Sequence, residues 1–158
     1  MKLIDEKLGG TTPLEIILKF PTKQKNEIND DEDFDDWEDE EDDRKYWFTK
    51  DKIEKIEKVH NYLEELPFIG KVLSFSSIIQ VATQLNNNEP LGSLEMGVLY
   101  TKIPENIKKE IVDPYISIED NEARISLRIK DSEKNLRRNE LINKIQYDLE
   151  NKLGFKNE

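Results

Sequence analysis

The spacing of apolar residues changes several times along this chain, and each change marks a predicted element. Between Gly9-Gly10-Thr11-Thr12, a run that suits a turn, and Pro21 lies Pro13-Leu14-Glu15-Ile16-Ile17-Leu18-Lys19-Phe20, short, apolar and strand-like. After Thr49, which fits an N-cap, Ile53, Ile56, Val59, Leu63 and Leu66 recur at steps of three and four until Pro67. That spacing predicts an amphipathic helix with one buried stripe. Gly70-Lys71-Val72-Leu73-Ser74-Phe75 reads as a second strand, entered through a glycine turn.

The stretch from Ser76 to Ile111 is less regular. It holds two short helical patterns, Ile78-Ile79-Val81-Ala82-Leu85 and Leu94-Met96-Val98-Leu99, separated by the polar turn Asn86-Asn87-Asn88-Glu89-Pro90. Tyr115-Ile116-Ser117-Ile118 and the alternating run Arg124 to Lys130 flank Glu119-Asp120-Asn121-Glu122, which predicts a hairpin with one face inward. Ser132 is then expected to cap a last helix with the stripe Leu136, Leu141, Ile145, Leu149 and Leu153, closed by Gly154. The order is β-α-β, a helical insertion, then β-β-α. It points to an α+β, ferredoxin-like sandwich with helices on one face of the sheet. That topology calls for a further strand after the last helix, where only Phe155 to Glu158 remain; the final strand is expected to be missing and the sheet edge open to association between copies.

Composition alters this picture at one place. The chain of 158 residues suits a single domain, with 35% hydrophobic and 37% charged residues and a net charge of −11. Residues 27 to 43, EINDDEDFDDWEDEEDD, hold 13 of the 35 acidic residues and no Lys or Arg; elsewhere 24 basic residues face 22 acidic ones. The acidic character thus belongs to one tract, expected with its flank to residue 45 to be a solvated, disordered loop, and the remainder is close to neutral. Neither part is a basic surface that would neutralise phosphates, which argues against nucleic-acid binding. There is no cysteine, so thiol catalysis, thiolate metal sites and disulfides are excluded. The N-terminus has no apolar signal region, and no run of about 18 apolar residues occurs, which by itself reads as a cytoplasmic chain.

Candidate chemistry is sparse. Asp31, Asp33 and Asp35 have the alternate spacing of a calcium loop, but Asp36 stands where the sharp turn needs Gly and Asp42 where a bidentate Glu is needed. His60 is the single histidine and lies beside the stripe of the first long helix, where packing is the expected role, and no second histidine completes a metal set. Ser74, Ser76 and Ser77 lack the G-x-S-x-G context of a nucleophile elbow. Gly9-Gly10-Thr11-Thr12 precedes a strand instead of opening a helix and lacks G-K-[ST], so it reads as a tight turn and not as a phosphate cradle. Arg137-Arg138 and Lys152 read as a solvated helix face before an anion site. The residues therefore define no catalytic, cofactor-binding or metal site, and the expectation is that the chain is not an enzyme.

Several segments taken together have a more specific likeness. Leu8-Gly9-Gly10-Thr11-Thr12-Pro13-Leu14-Glu15-Ile16, the acidic tract running into Tyr46-Trp47-Phe48-Thr49, Val59-His60-x-Tyr62-Leu63 leading to Ile69-Gly70-Lys71-Val72-Leu73-Ser74, and Ala123-Arg124 through Leu136-Arg137-Arg138-Asn139-Glu140-Leu141 resemble, in order and spacing, the extracytoplasmic porter region of exporters of the resistance-nodulation-division (RND) superfamily, in the branch related to the MMPL lipid exporters. The likeness runs from about residue 3 to 155. It implies a single partial porter domain over residues 1–158 of a proton-driven membrane transporter, in a periplasmic loop. Its implied partners are the membrane helices and second porter loop of the same exporter, and an amphiphilic, lipid-like substrate. Ile78, Val81, Leu94 and Met96 of the helical insertion are the residues expected at a substrate-contacting surface, and they read equally as ordinary core. The other reading of the chain is a free-standing module whose acidic tract recruits a basic partner.

Overall fold

The computed structural model describes residues 2–21 and 47–155, so the acidic tract, with its calcium-like spacing, lies outside the described residues. The chain begins with α1 (Lys2–Leu8), followed by β1 (Thr12–Lys19), α2 (Lys50–Glu64) and β2 (Ile69–Leu73). Three helices come next, α3 (Phe75–Leu85), α4 (Ser93–Lys102) and α5 (Glu105–Ile111), before β3 (Ile116–Ser117), β4 (Glu122–Ile129) and α6 (Arg138–Asn151). The architecture is α+β, and all the strand pairs are antiparallel.

β4 is the centre of the sheet. It pairs along its whole length with β1, from Thr12 opposite Ile129 to Lys19 opposite Glu122, while β2 and the two-residue β3 share its other side. β1 and β2, both antiparallel to β4, therefore run parallel to one another with β4 between them, joined through α2. Strand alternation turns Ala123, Ile125, Leu127 and Ile129 to the same side as Leu14, Ile16 and Leu18, and all four β4 side chains are buried. Burial of such a side chain stabilises by about 1.5–3 kcal/mol. The helical layer meets this face through Ile53, Ile56, Val59 and Leu63 of α2 and Leu141 and Ile145 of α6, all in one core. The opposite face is polar, with ion pairs between Lys19 and Glu122 at 3.3 Å and between Arg124 and Glu15 at 3.9 Å.

Local chemistry explains most boundaries. Thr49 caps α2 by accepting the Lys52 N–H at 3.4 Å, and Pro67 lies just beyond the helix end. β2 ends at Leu73, two residues before the expected Phe75. Ser74 caps α3 in a reciprocal box with Ser77, so Phe75 is helical and buried. Ser132 is not the cap of the last helix. The Lys130 N–H donates to Phe68 O at the sheet end, tight turns follow through Glu133 and Leu136, and α6 starts only at Arg138. Gly154, at φ +78°, reverses the chain after α6, where the Phe155 N–H donates to Leu149 O and the Phe155 ring meets Phe20 edge-on. The helices α1 and α5 were not marked by periodicity; α1 leaves Leu3, Ile4 and Leu8 exposed.

The Gly9-Gly10 turn is a place of close backbone approach. Gly9 and Gly10 have φ of +67° and +102°, and a Cβ on Gly10 would sit 2.8 Å from the Ile129 carbonyl. A Cβ on Gly70, at the irregularity between Ile69 and Lys71, would land on the Gly9 carbonyl. The turn is thus laid directly over the ends of β2 and β4. Gly70→Ala is expected to cost about 3 kcal/mol or more in denaturant unfolding, because backbone must move on both sides of the contact. Gly92→Ala, where the added methyl meets only a carboxylate oxygen at 3.8 Å, should stay within about 0.5 kcal/mol of the parent.

Candidate functional site

Two polar clusters fasten the helical layer, and a third feature, the helical insertion, is left as an open apolar surface. The first cluster centres on His60, fully buried on α2. Its Nδ1 lies 2.9 Å from Ser74 Oγ, its Nε2 3.3 Å from Glu64 Oε1, and Ser74 Oγ also accepts the Ser76 N–H at 3.1 Å. Every polar atom is satisfied when Nε2–H donates to Glu64 and the Ser74 hydroxyl donates to Nδ1. The serine, histidine and glutamate are arranged as in a hydrolytic triad. Ser74 Oγ, however, is fully buried and occupied as the α3 cap, so no substrate carbonyl reaches it. The trio is a brace joining α2 to α3.

The second cluster was not legible from spacing, since its partners are 86 positions apart. The Tyr62 hydroxyl donates to Asp148 Oδ2 at 2.6 Å and the Lys152 ammonium lies 2.8 Å from Oδ1, tying α2 to α6. These hydrogen bonds, Lys152 first and Tyr62 second, hold the Asp148 carboxyl below its usual range. Burial, with the Asp148 hydrogen bond and charge behind it, pushes the Tyr62 hydroxyl up. Lys152 is therefore committed to Asp148, Arg138 pairs with Asp131 at 2.7 Å and Arg137 with Glu140 at 3.7 Å. The basic face of α6 is matched within the chain.

At the far end of β1, Lys52 Nζ donates to Asn121 Oδ1 at 2.6 Å and lies 4.6 Å from the Trp47 ring centroid, while Asn121 Nδ2 donates to Phe20 O. Trp47 is buried, and its Nε1 has no acceptor among the described residues.

The helical insertion differs from the rest in charge. From Val72 to Asn88 there is no charged residue, and from there to Thr101 only Glu89 and Glu95, in a chain that is 37% charged. Between α3 and α4 lies an apolar crevice of about 30 Å³, lined by Phe48, Phe75, Ile78, Met96, Tyr100 and Val112 among others, room for a water molecule at most. Beside it, an open groove of about 650 Å³ runs between α2, α3 and the start of α4, sharing Ile79, Leu91 and Met96 with the crevice. Outside both, Val81, Leu85 and Val98 are exposed, Leu85 by 83%, and Leu99 at the crevice is also partly in solvent.

Of the four residues expected at a contact surface, Ile78 and Met96 line the crevice, Val81 faces outward and Leu94 lies on α4. Gly9-Gly10 form the turn over the sheet end and make no anion cradle. Among the described residues no group of three His, Asp or Glu side chains is placed to hold a metal ion. No helix among them is long and apolar enough to cross a membrane. Comparison with known proteins finds no matching family model, no matching curated protein and no matching solved structure.

Two measurements check the braces. Ser74→Ala removes both the α3 cap and the His60 partner and should cost about 2 kcal/mol in thermal or denaturant unfolding. The Asp148 carboxyl has a lowered folded value, so its contribution is present above the unfolded carboxylate range, about pH 4, and is lost as pH falls through the folded value. The stability gap between the parent and Asp148→Asn should be level above about pH 5 and shrink on acidification below about pH 4.

Proposed function

We propose that this chain is a ferredoxin-like porter subdomain of an RND-type exporter, lying in an extracytoplasmic loop and contributing a contact surface for amphiphilic substrates rather than a chemical step. The observation that carries the reading is the α3 and α4 part of the helical insertion, where Ser74 to Thr101 hold two charged residues, Glu89 and Glu95, and large apolar side chains are left in solvent. Exposed apolar surface of this kind marks a contact with another protein, a ligand or a lipid. Two further features support it. β4 bracketed by β1 and β2 across α2 is the split β-α-β arrangement of ferredoxin-like domains, whose fourth full strand would pair with the outer edge of β1, unpaired among the described residues. The segments that carry the resemblance to these exporters are also those that make the framework contacts: Gly9-Gly10 on Gly70, His60 on Ser74, Tyr62 on Asp148 and Trp47 on Phe20.

Titration of the isotope-labelled chain with decyl maltoside below its micelle concentration tests the contact surface. Amide shifts should concentrate between residues 75 and 111 and on the α2 face beside them, Ile53 to Glu57, with a dissociation constant of roughly 0.1–1 mM. Because Val81 and Leu85 are exposed, the pair Val81→Asp and Leu85→Asp should weaken binding about tenfold without disturbing the fold. An unchanged spectrum, or shifts spread over the polar face of the sheet, would overturn the reading.

A further inference from the structure

We propose that the groove between α2, α3 and the start of α4 is a binding site for a cationic amphiphile, an alkylammonium whose chain lies on the apolar floor and whose head faces α2. The proposal deepens the amphiphile-contact reading and rests on it. At about 650 Å³ the groove has the size of a small-molecule site. Its floor is Ile53, Ile79, Leu91 and Met96, which offers hydrocarbon contact to several methylenes.

The walls set the sign of the head group. The α2 wall presents Lys50, Glu54 and Glu57, a net charge of −1. Lys50 approaches Glu54 at 3.7 Å with both side chains largely in solvent, a weak pair, and Glu57 has no ion pair among the described residues. Glu54 and Glu57 are three positions apart on one helix, so their carboxylates repel each other and a cation between them relieves the repulsion. The opposite wall offers Gln80, Thr83, Gln84 and Ser93, amides and hydroxyls with no positive charge. An anionic head would meet two carboxylates and a single ammonium, whereas a cationic head meets an excess of negative charge over an apolar floor.

The test is a calorimetric and amide-shift titration of the full chain with three ten-carbon amphiphiles below their micelle concentrations: decyltrimethylammonium, decyl maltoside and decanoate. The proposal expects decyltrimethylammonium to bind about fivefold more tightly than decyl maltoside, and decanoate more weakly than either. Shifts should fall at Ile53, Glu57, Ile79, Gln80 and Leu91, and the preference should shrink as salt is raised. The double variant Glu54→Gln and Glu57→Gln, altering surface carboxylates only, should bring the cationic and maltoside affinities together. Equal affinity for all three heads sinks the cation assignment and leaves the amphiphile-contact reading standing. A cationic preference that survives the double variant also sinks it, since the attraction then comes from the acidic tract. If no alkyl chain binds, both fall.

Discussion

The antiparallel pairing of β4 with β1 on one side and β2 on the other is the contact on which the rest of this domain depends. It joins segments more than a hundred positions apart, Thr12 to Ile129, while α2 carries the chain from β1 to β2 on the other side of β4. Ala123, Ile125, Leu127 and Ile129 then become the floor on which α2 and α6 are packed. The glycines follow from the same constraint. The turn that delivers the chain into β1 has to pass over the backbone of β2 and β4, and side chains at Gly10 or Gly70 would hold those strands apart. Hydrophobic burial sets the layers, but backbone approach sets how closely their ends fit.

The helical layer is fixed to that sheet by a few buried polar contacts that are fully partnered. His60 with Ser74 positions α3 against α2, and Tyr62 with Asp148 positions α6 against α2. Both use side chains on one turn of the same helix, so α2 is the reference for its neighbours. In a low-dielectric interior such contacts favour one arrangement because any other leaves a polar group unpaired. The insertion is organised differently. Lys108, buried, lies over the Tyr100 ring and pairs with Glu105, which sets α5 against α4, and aliphatic and aromatic contacts hold α3 and α4 together. Charged residues are sparse on α3 and α4 and return at Lys102 and along α5.

Much of the fold was legible from period alone. The stripe from Ile53 to Leu66, the alternation in Arg124 to Lys130 and the apolar run before Pro21 each became the predicted element, because each is long enough for one face to be buried. The errors fell where a side chain did two jobs. Ser74 reads as the end of a strand and is also a cap; Ser132 has the composition of a cap but sits in a turn still tethered to the sheet by Lys130. The seven-residue helices α1 and α5 are too short for a stripe to declare itself. Of the site, the apolar spacing in Ile78 to Leu99 was visible, but not which side chains would stay outside. Val81 and Ile78 belong to one pattern, and only packing against Phe48 and Met96 separates the exposed residue from the lined crevice. Tyr62 and Asp148 carried no local signal at all.

The proposed role of this framework is to present a largely apolar surface of α3 and α4 within a membrane exporter. The most direct test is to sequence the genomic locus on both sides of the segment that encodes these residues. The reading frame is expected to continue into apolar stretches of about 20 residues, long enough to cross a bilayer. Start and stop signals bounding these 158 residues, with no membrane-spanning segments nearby, would contradict it.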